Sequence, residues 1–87
     1  ASEWYVRVTA IDQSGVMSDI TQILASRDIS IESIIQKPPA PRAGKVIILL
    51  LTHVAPQSVM IVALNEIMAL VGVEADATLM RVEAFDR

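Results

Sequence analysis

Eighty-seven residues are enough for one modest hydrophobic core and too few for two. Apolar residues make up 53% of the chain but only three residues are aromatic, so the core must be built from Ile, Val, Leu and Met. A net charge of −3 argues against a nucleic-acid surface, and the absence of cysteine removes disulfides, thiolate metal sites and thiol nucleophiles together.

Trp4 to Ile11 alternates as a strand does, with Trp4, Val6, Val8 and Ala10 on one face and Tyr5, Arg7, Thr9 and Ile11 on the other. Gly15 to Arg27 reads as a helix, because Val16, Ile20, Ile23 and Leu24 fall on one stripe while Ser18, Asp19, Gln22 and Arg27 lie away from it. Asp28 is expected to end that helix, since Asp tolerates the left-handed backbone better than most residues. Ile29 to Lys37 is a second strand. The three prolines at 38, 39 and 41 then force a loop that runs to Gly44.

Lys45 to His53 is a third strand, and its run from Val46 to Leu51 is apolar without alternation. A strand of that kind is covered on both faces. Pro56 suits the first turn of a helix that continues from Gln57 to Val71 and stops at Gly72, and Val73 to Glu83 is the last strand. The order β-α-β-β-α-β is that of a ferredoxin-like α+β sandwich. Right-handed crossovers place both helices on one face of a four-stranded antiparallel sheet, with the second and fourth strands as its edges. On that plan either Val46, Ile48 and Leu50 or Ile47, Leu49 and Leu51 must find cover outside the two helices. In the second helix, Ile61 and Val62 fall on the same side as Ser58 and Asn65.

No apolar run approaches the roughly 18 to 20 residues of a membrane span. The cysteine-free composition fits a reducing cytoplasm, and a chain opening Ala1-Ser2-Glu3 without Met looks cut from something longer. Catalysis is not expected. The single histidine, His53, ends an apolar strand, where a hydrogen bond to backbone is its ordinary use, and the carboxylates are scattered. Metal binding lacks a Cys pair. RNA binding lacks aromatics on the sheet, where Tyr5 is the sole candidate on the first strand.

The stretch Asp12-Gln13-Ser14-Gly15-Val16 joins the first strand to its helix with little between them. The first N–H groups of a helix have no partner within it and attract an anion, Ser14 can cap one of them, and Gly15 permits close approach of a ligand or another backbone. Asp12 can meet a cation. An anion site beside a cation site suits a free α-amino acid. The same residues also serve as an ordinary turn and cap, and spacing alone leaves both uses open.

This stretch, followed by Ile20 and Leu24 and then by Ile29-Ser30-Ile31, resembles the signature of an ACT domain, the amino-acid-sensing regulatory module, across essentially the whole chain. The segment Ser30-Ile31-Glu32-Ser33-Ile34-Ile35-Gln36-Lys37, paired with a third strand that runs into Thr52-His53, resembles more closely the carboxy-terminal ACT domain of bacterial homoserine dehydrogenases. Ser14 departs from the family, which usually carries proline there. The resemblance implies an allosteric module that is not itself an enzyme and carries no cofactor, with the nicotinamide-dependent catalytic part amino-terminal to Ala1. It implies threonine as the effector, with ligand contacts on Asp12, Gln13, Ser14, Gly15, Val16 and Ser30. It further implies a homodimer paired along a sheet edge, while charge and the length of the apolar runs leave nucleic acid and membrane out as expected partners. Serine, isoleucine or phenylalanine sensing, and a dimerisation module without ligand, are the alternatives.

Overall fold

The computed structural model describes residues 2–11, 14–37 and 44–82. The elements are β1 (Glu3–Ile11), α1 (Ser14–Ser26), β2 (Ile31–Lys37), β3 (Lys45–Thr52), α2 (Gln57–Met68) and β4 (Thr78–Val82). They form one antiparallel sheet in the order β2-β3-β1-β4, so β2 and β4 are its edges, as the crossover rule requires. The proline run at 38–43 and Glu83 lie outside the described residues.

One face of the sheet is buried. Trp4, Val6, Val8 and Ala10 of β1 and Val46, Ile48 and Leu50 of β3 pack against Val16, Ile20 and Leu24 of α1 and Met60, Ala63 and Ile67 of α2. Both helices therefore lie on the same face, each presenting a stripe at helical spacing. The other face keeps Ile47, Leu49 and Leu51 only half-buried beside Ile35 and Met80, each of which is 53% exposed. The two-sided apolar character of β3 is thus explained by core on one side and an uncovered aliphatic stripe on the other. Ile61 and Val62 are exposed with Ser58 and Asn65 on the outer side of α2.

The end of α1 follows from Asp28, whose φ is 58°. With that residue left-handed, its own N–H donates to the Ala25 carbonyl at 3.0 Å and the Ile29 N–H donates to the Leu24 carbonyl at 2.9 Å. These are the two bonds of a Schellman cap, and the accompanying apolar contact is supplied by buried Ile29 and Leu24. Ile29 is consumed by the cap, which is why β2 begins at Ile31 and not at Ile29. Asp28→Gly removes the strain of a Cβ in this conformation and is expected to raise stability by about 0.5 to 1 kcal/mol, read as a rise in melting temperature.

Other boundaries also differ from the sequence expectation, most by one residue and two by more. Pro56 is the N-cap of α2, one place before its first turn. The helix stops at Met68 because the Ala69 N–H is shared between the carbonyls of Asn65 and Glu66, and the Leu70 N–H turns back to Ile67. The last strand is split. Val73 bridges Ala10 and Thr78 pairs with Arg7, so β1 advances three residues (10 to 7) while its partner advances five (73 to 78). The extra residues are taken up by a turn at 75–76, which separates 72–74 from β4.

Outside the core, Arg27 donates two 2.8 Å hydrogen bonds to Glu66 and ties the end of α1 to α2. Those bonds hold the Glu66 carboxyl below its ordinary 4.5. Because folding lowers that pKa, the stabilisation is present above the ordinary value and is lost as pH falls through the lowered one. Both groups are exposed, so solvent screens the pair and its weight is small.

Candidate functional site

The junction of β1 and α1 lies at the end of the sheet where Ile11 pairs with Lys45. Asp12 and Gln13 fall outside the described residues, and α1 opens at Ser14. Val16 is buried and anchors the first turn, while Gly15 is exposed. A Cβ built on Gly15 meets nothing within 4 Å, and Gly15 is not among the glycines with positive φ. Neither space nor backbone conformation within the described residues explains a glycine there. What it leaves open is the approach to the first N–H groups of α1, which can receive a carboxylate.

Lys45 and Glu74 make a half-buried ion pair at the same end of the sheet. Behind the junction, Gly72 has a φ of +94°, and a Cβ built on it would meet both Ile11 and Val16. Sequence reasoning did not single out Lys45, Glu74 or Gly72. A glycine after a helix reads as a stop signal, and nothing local indicates what packs on its open side.

Ser30 lies elsewhere. In this βαβ unit β1 and β2 run parallel, both being antiparallel to β3, so β2 starts at the end of the sheet opposite the one where α1 starts. Ile31 pairs with Thr52 and Ile11 with Lys45. The seven steps of β3 between those partners span about 23 Å at roughly 3.3 Å per residue. Gly15 and Ser30, both expected as ligand contacts, therefore do not face one pocket within a single chain. Exposed Ser30 instead lines an open groove of about 700 Å³ with Ser18, Thr21, Gln22, Asp28 and Ile31, along the carboxy-terminal half of α1.

His53 is exposed just beyond β3, and its backbone N–H donates to the Ser30 carbonyl at 2.9 Å. The polar residue with a buried task is Thr52. Its hydroxyl accepts from the Trp4 N–H at 3.1 Å and donates to the His53 carbonyl at 2.8 Å. Among the described residues no three His, Cys, Asp or Glu side chains gather as a metal site would need.

The profile of the ACT domain family matches residues 4–72. Homoserine dehydrogenase of Methylobacillus glycogenes is 38% identical over 87 residues, which are 100% of this chain and 21% of that protein. In solved structures, the homoserine dehydrogenase from Thiobacillus denitrificans superposes with a TM-score of 0.83 at 36% identity, over 94% of this chain and 17% of the other. The regulatory subunit of aspartate kinase from Thermus thermophilus superposes with a TM-score of 0.71 at 26% identity, over 91% of this chain and 50% of the other. The chain thus spans about a fifth of the dehydrogenases that it matches. With the βαββαβ order, the β2-β3-β1-β4 sheet and the profile match all agreeing, the chain belongs to the ACT domain family.

Proposed function

We propose that this chain is the amino-acid-sensing module of a homoserine dehydrogenase, and that threonine is the effector through which it controls threonine synthesis. The observation that carries the ligand site is Gly15, a glycine that the described fold does not need, at the exposed mouth of α1. The observation that carries the parent enzyme is 38% identity with a homoserine dehydrogenase over the whole chain. The dehydrogenase chemistry and its nicotinamide cofactor belong, on this reading, to segments amino-terminal to Ala1. The module works in the cytoplasm, where that synthesis takes place.

Two-fold pairing along β2 would make the site one that is shared between protomers. Ile34 and Ile35 are 40% and 53% exposed on this edge strand, one on each face. A two-fold axis makes the paired edges antiparallel, so the start of β2 in one copy meets the end of β2 in the other. Lys37, at that end, pairs with Ile47, close to the Ile11–Lys45 end of the sheet. Ser30 of one copy would then approach the start of α1 in its partner. Threonine would place its carboxylate on the α1 N–H groups, its ammonium on Asp12, and its hydroxyl near the other copy's Ser30. A ligand held between two subunits favours the one arrangement that it fits, by no more than its differential affinity.

Calorimetric titration with threonine, serine, isoleucine and phenylalanine tests the effector. Threonine alone binding tightly supports the proposal, another amino acid prevailing moves the chain to a different pathway enzyme, and no binding leaves a dimerisation module. Light scattering tests the edge. The double variant Ile34→Lys/Ile35→Lys is expected to be monomeric with little change in melting temperature, because lysine on an edge opposes strand addition and both positions are exposed. A wild-type chain that is monomeric at every concentration contradicts the edge assignment.

A further inference from the structure

We propose that the open face of the sheet is an interface with a second copy of this chain. The two sheets stack face to face about a two-fold axis that crosses the strands through Leu51, Tyr5 and Met80. This contact is separate from the β2 edge and does not depend on the ligand reading. Register fixes the row, since Tyr5 pairs with Leu51 on one side and with Met80 on the other. Leu49 and Ile35 extend the aliphatic surface in the next row, beside Arg7. Toward Ile11 the face is closed. Lys45, on this face, reaches the Glu74 carboxylate, and Thr9, on the same side, is only 7% exposed. What stays open is centred on Tyr5.

The charges on the patch choose its occupant. Glu3 and Arg7 stand two residues to either side of Tyr5, on the same strand and the same face. At roughly 3.3 Å per residue they lie about 13 Å apart along β1, too far to meet within one chain. Their cross-strand neighbours are uncharged, Val82 beside Glu3, and Leu49 and Thr78 beside Arg7. Among the described residues neither makes an ion pair. A two-fold axis across the strands at Tyr5 lays each β1 over its copy in the reverse direction. Arg7 of each protomer then falls opposite Glu3 of the other, while Tyr5, Leu51 and Met80 meet their own copies. Stacked sheets lie about 10 Å apart with strands aligned within about 30°, a gap that an Arg and a Glu side chain span together. An axis along the strands would instead set Arg7 over Leu49 and bury its charge unpaired. A face whose charges complement themselves about one axis fits a second copy. Four strands about 4.8 Å apart make the patch only about 19 Å wide, so the pairing is weak and depends on concentration.

The test is sedimentation velocity over a range of concentrations, in a background of Ile34→Lys. Ile34 pairs with buried Leu50 on the helix side of the edge strand, so lysine there opposes strand addition at β2 and leaves the open face intact. Ile35 stands at the rim of the open face, which is why the double variant with Ile35→Lys opposes both contacts. Ile34→Lys alone is expected to form a concentration-dependent dimer. Adding Arg7→Glu is expected to raise its dissociation constant roughly ten-fold or more, because two carboxylates then face each other across the axis. Adding Glu3→Arg as well restores opposite charges and is expected to return the constant to within about three-fold of the background. The two positions are too far apart for the swap to act within one chain, so recovery identifies contact between chains. Melting temperatures of dilute samples confirm that each variant is folded. Ile34→Lys that stays monomeric at every concentration gives the face to another occupant and overturns the proposal. An Arg7→Glu substitution without effect, or a loss that the swap does not recover, overturns it equally. None of these outcomes bears on threonine binding.

Discussion

Gly15→Val is expected to lower threonine affinity about a hundred-fold while leaving the protein at least as stable as wild type. The two effects have separate causes. A side chain at position 15 meets no atom within 4 Å, so the fold can accept it. Valine also has a helix propensity better than glycine's by about 0.5 kcal/mol, which for a domain of this size is a rise of roughly 2 to 4 °C. The same branched side chain stands over the first N–H groups of α1 and keeps a carboxylate from reaching them. Losing one charge-assisted hydrogen bond at about 1.5 to 3 kcal/mol weakens binding by roughly ten- to a hundred-and-fifty-fold. A glycine that served only the turn would give the reverse pattern, a lower melting temperature and no change in ligand. Thermal melts and titrations on the same preparations distinguish the two.

Leu50→Ala should be the most damaging single truncation in the sheet, and Leu49→Ala, one residue away, should be mild. Leu50 is 0% exposed on the central strand β3, between Val6 of β1 and Ile34 of β2. Removing its side chain leaves a cavity under both helices at about 2 to 5 kcal/mol. That is a large part of the total stability of so small a domain, and the melting temperature should fall by roughly 10 to 30 °C. Leu49 faces the uncovered side between Arg7 and Ile35 and is only half-buried, so its truncation should lower the melting temperature by a few degrees. If Leu49→Ala proves as costly as Leu50→Ala in a monomeric sample, the open face is covered in a way that the sheet geometry does not provide.

The fold was legible because its signals are local and periodic. Trp4, Val6, Val8 and Ala10 on β1, and Val16, Ile20 and Leu24 on α1, announce their buried faces by spacing alone, and all seven are core residues. Asp28 was legible for a different reason: a residue that tolerates the left-handed backbone stands where the apolar stripe ends, and its φ is 58°. The split of the last strand was not legible, because it is fixed by register against β1, more than 60 positions away in the chain (Ala10 to Val73, Arg7 to Thr78). Gly72 belongs to the same class. Its requirement comes from Ile11 and Val16, which no local pattern links to position 72.

The candidate site was legible in kind but not in arrangement. Glycine at a helix mouth is a local signal, and Gly15 has the exposure that a ligand needs. Ser30 stands apart from Gly15 because the crossover returns the chain to the far end of the sheet before β2 begins. On the proposed reading, a second copy with its strands reversed brings the two ends together.

That reversal gives the most direct test of the account. A crystal structure of the protein grown with L-threonine should show the amino acid at a β2–β2 dimer interface, with its carboxylate on the first turn of α1 near Gly15 of one protomer and Ser30 of the other protomer beside it. Threonine bound within a single chain, in the groove lined by Ser18, Thr21 and Ser30 and remote from Gly15, would contradict the shared site.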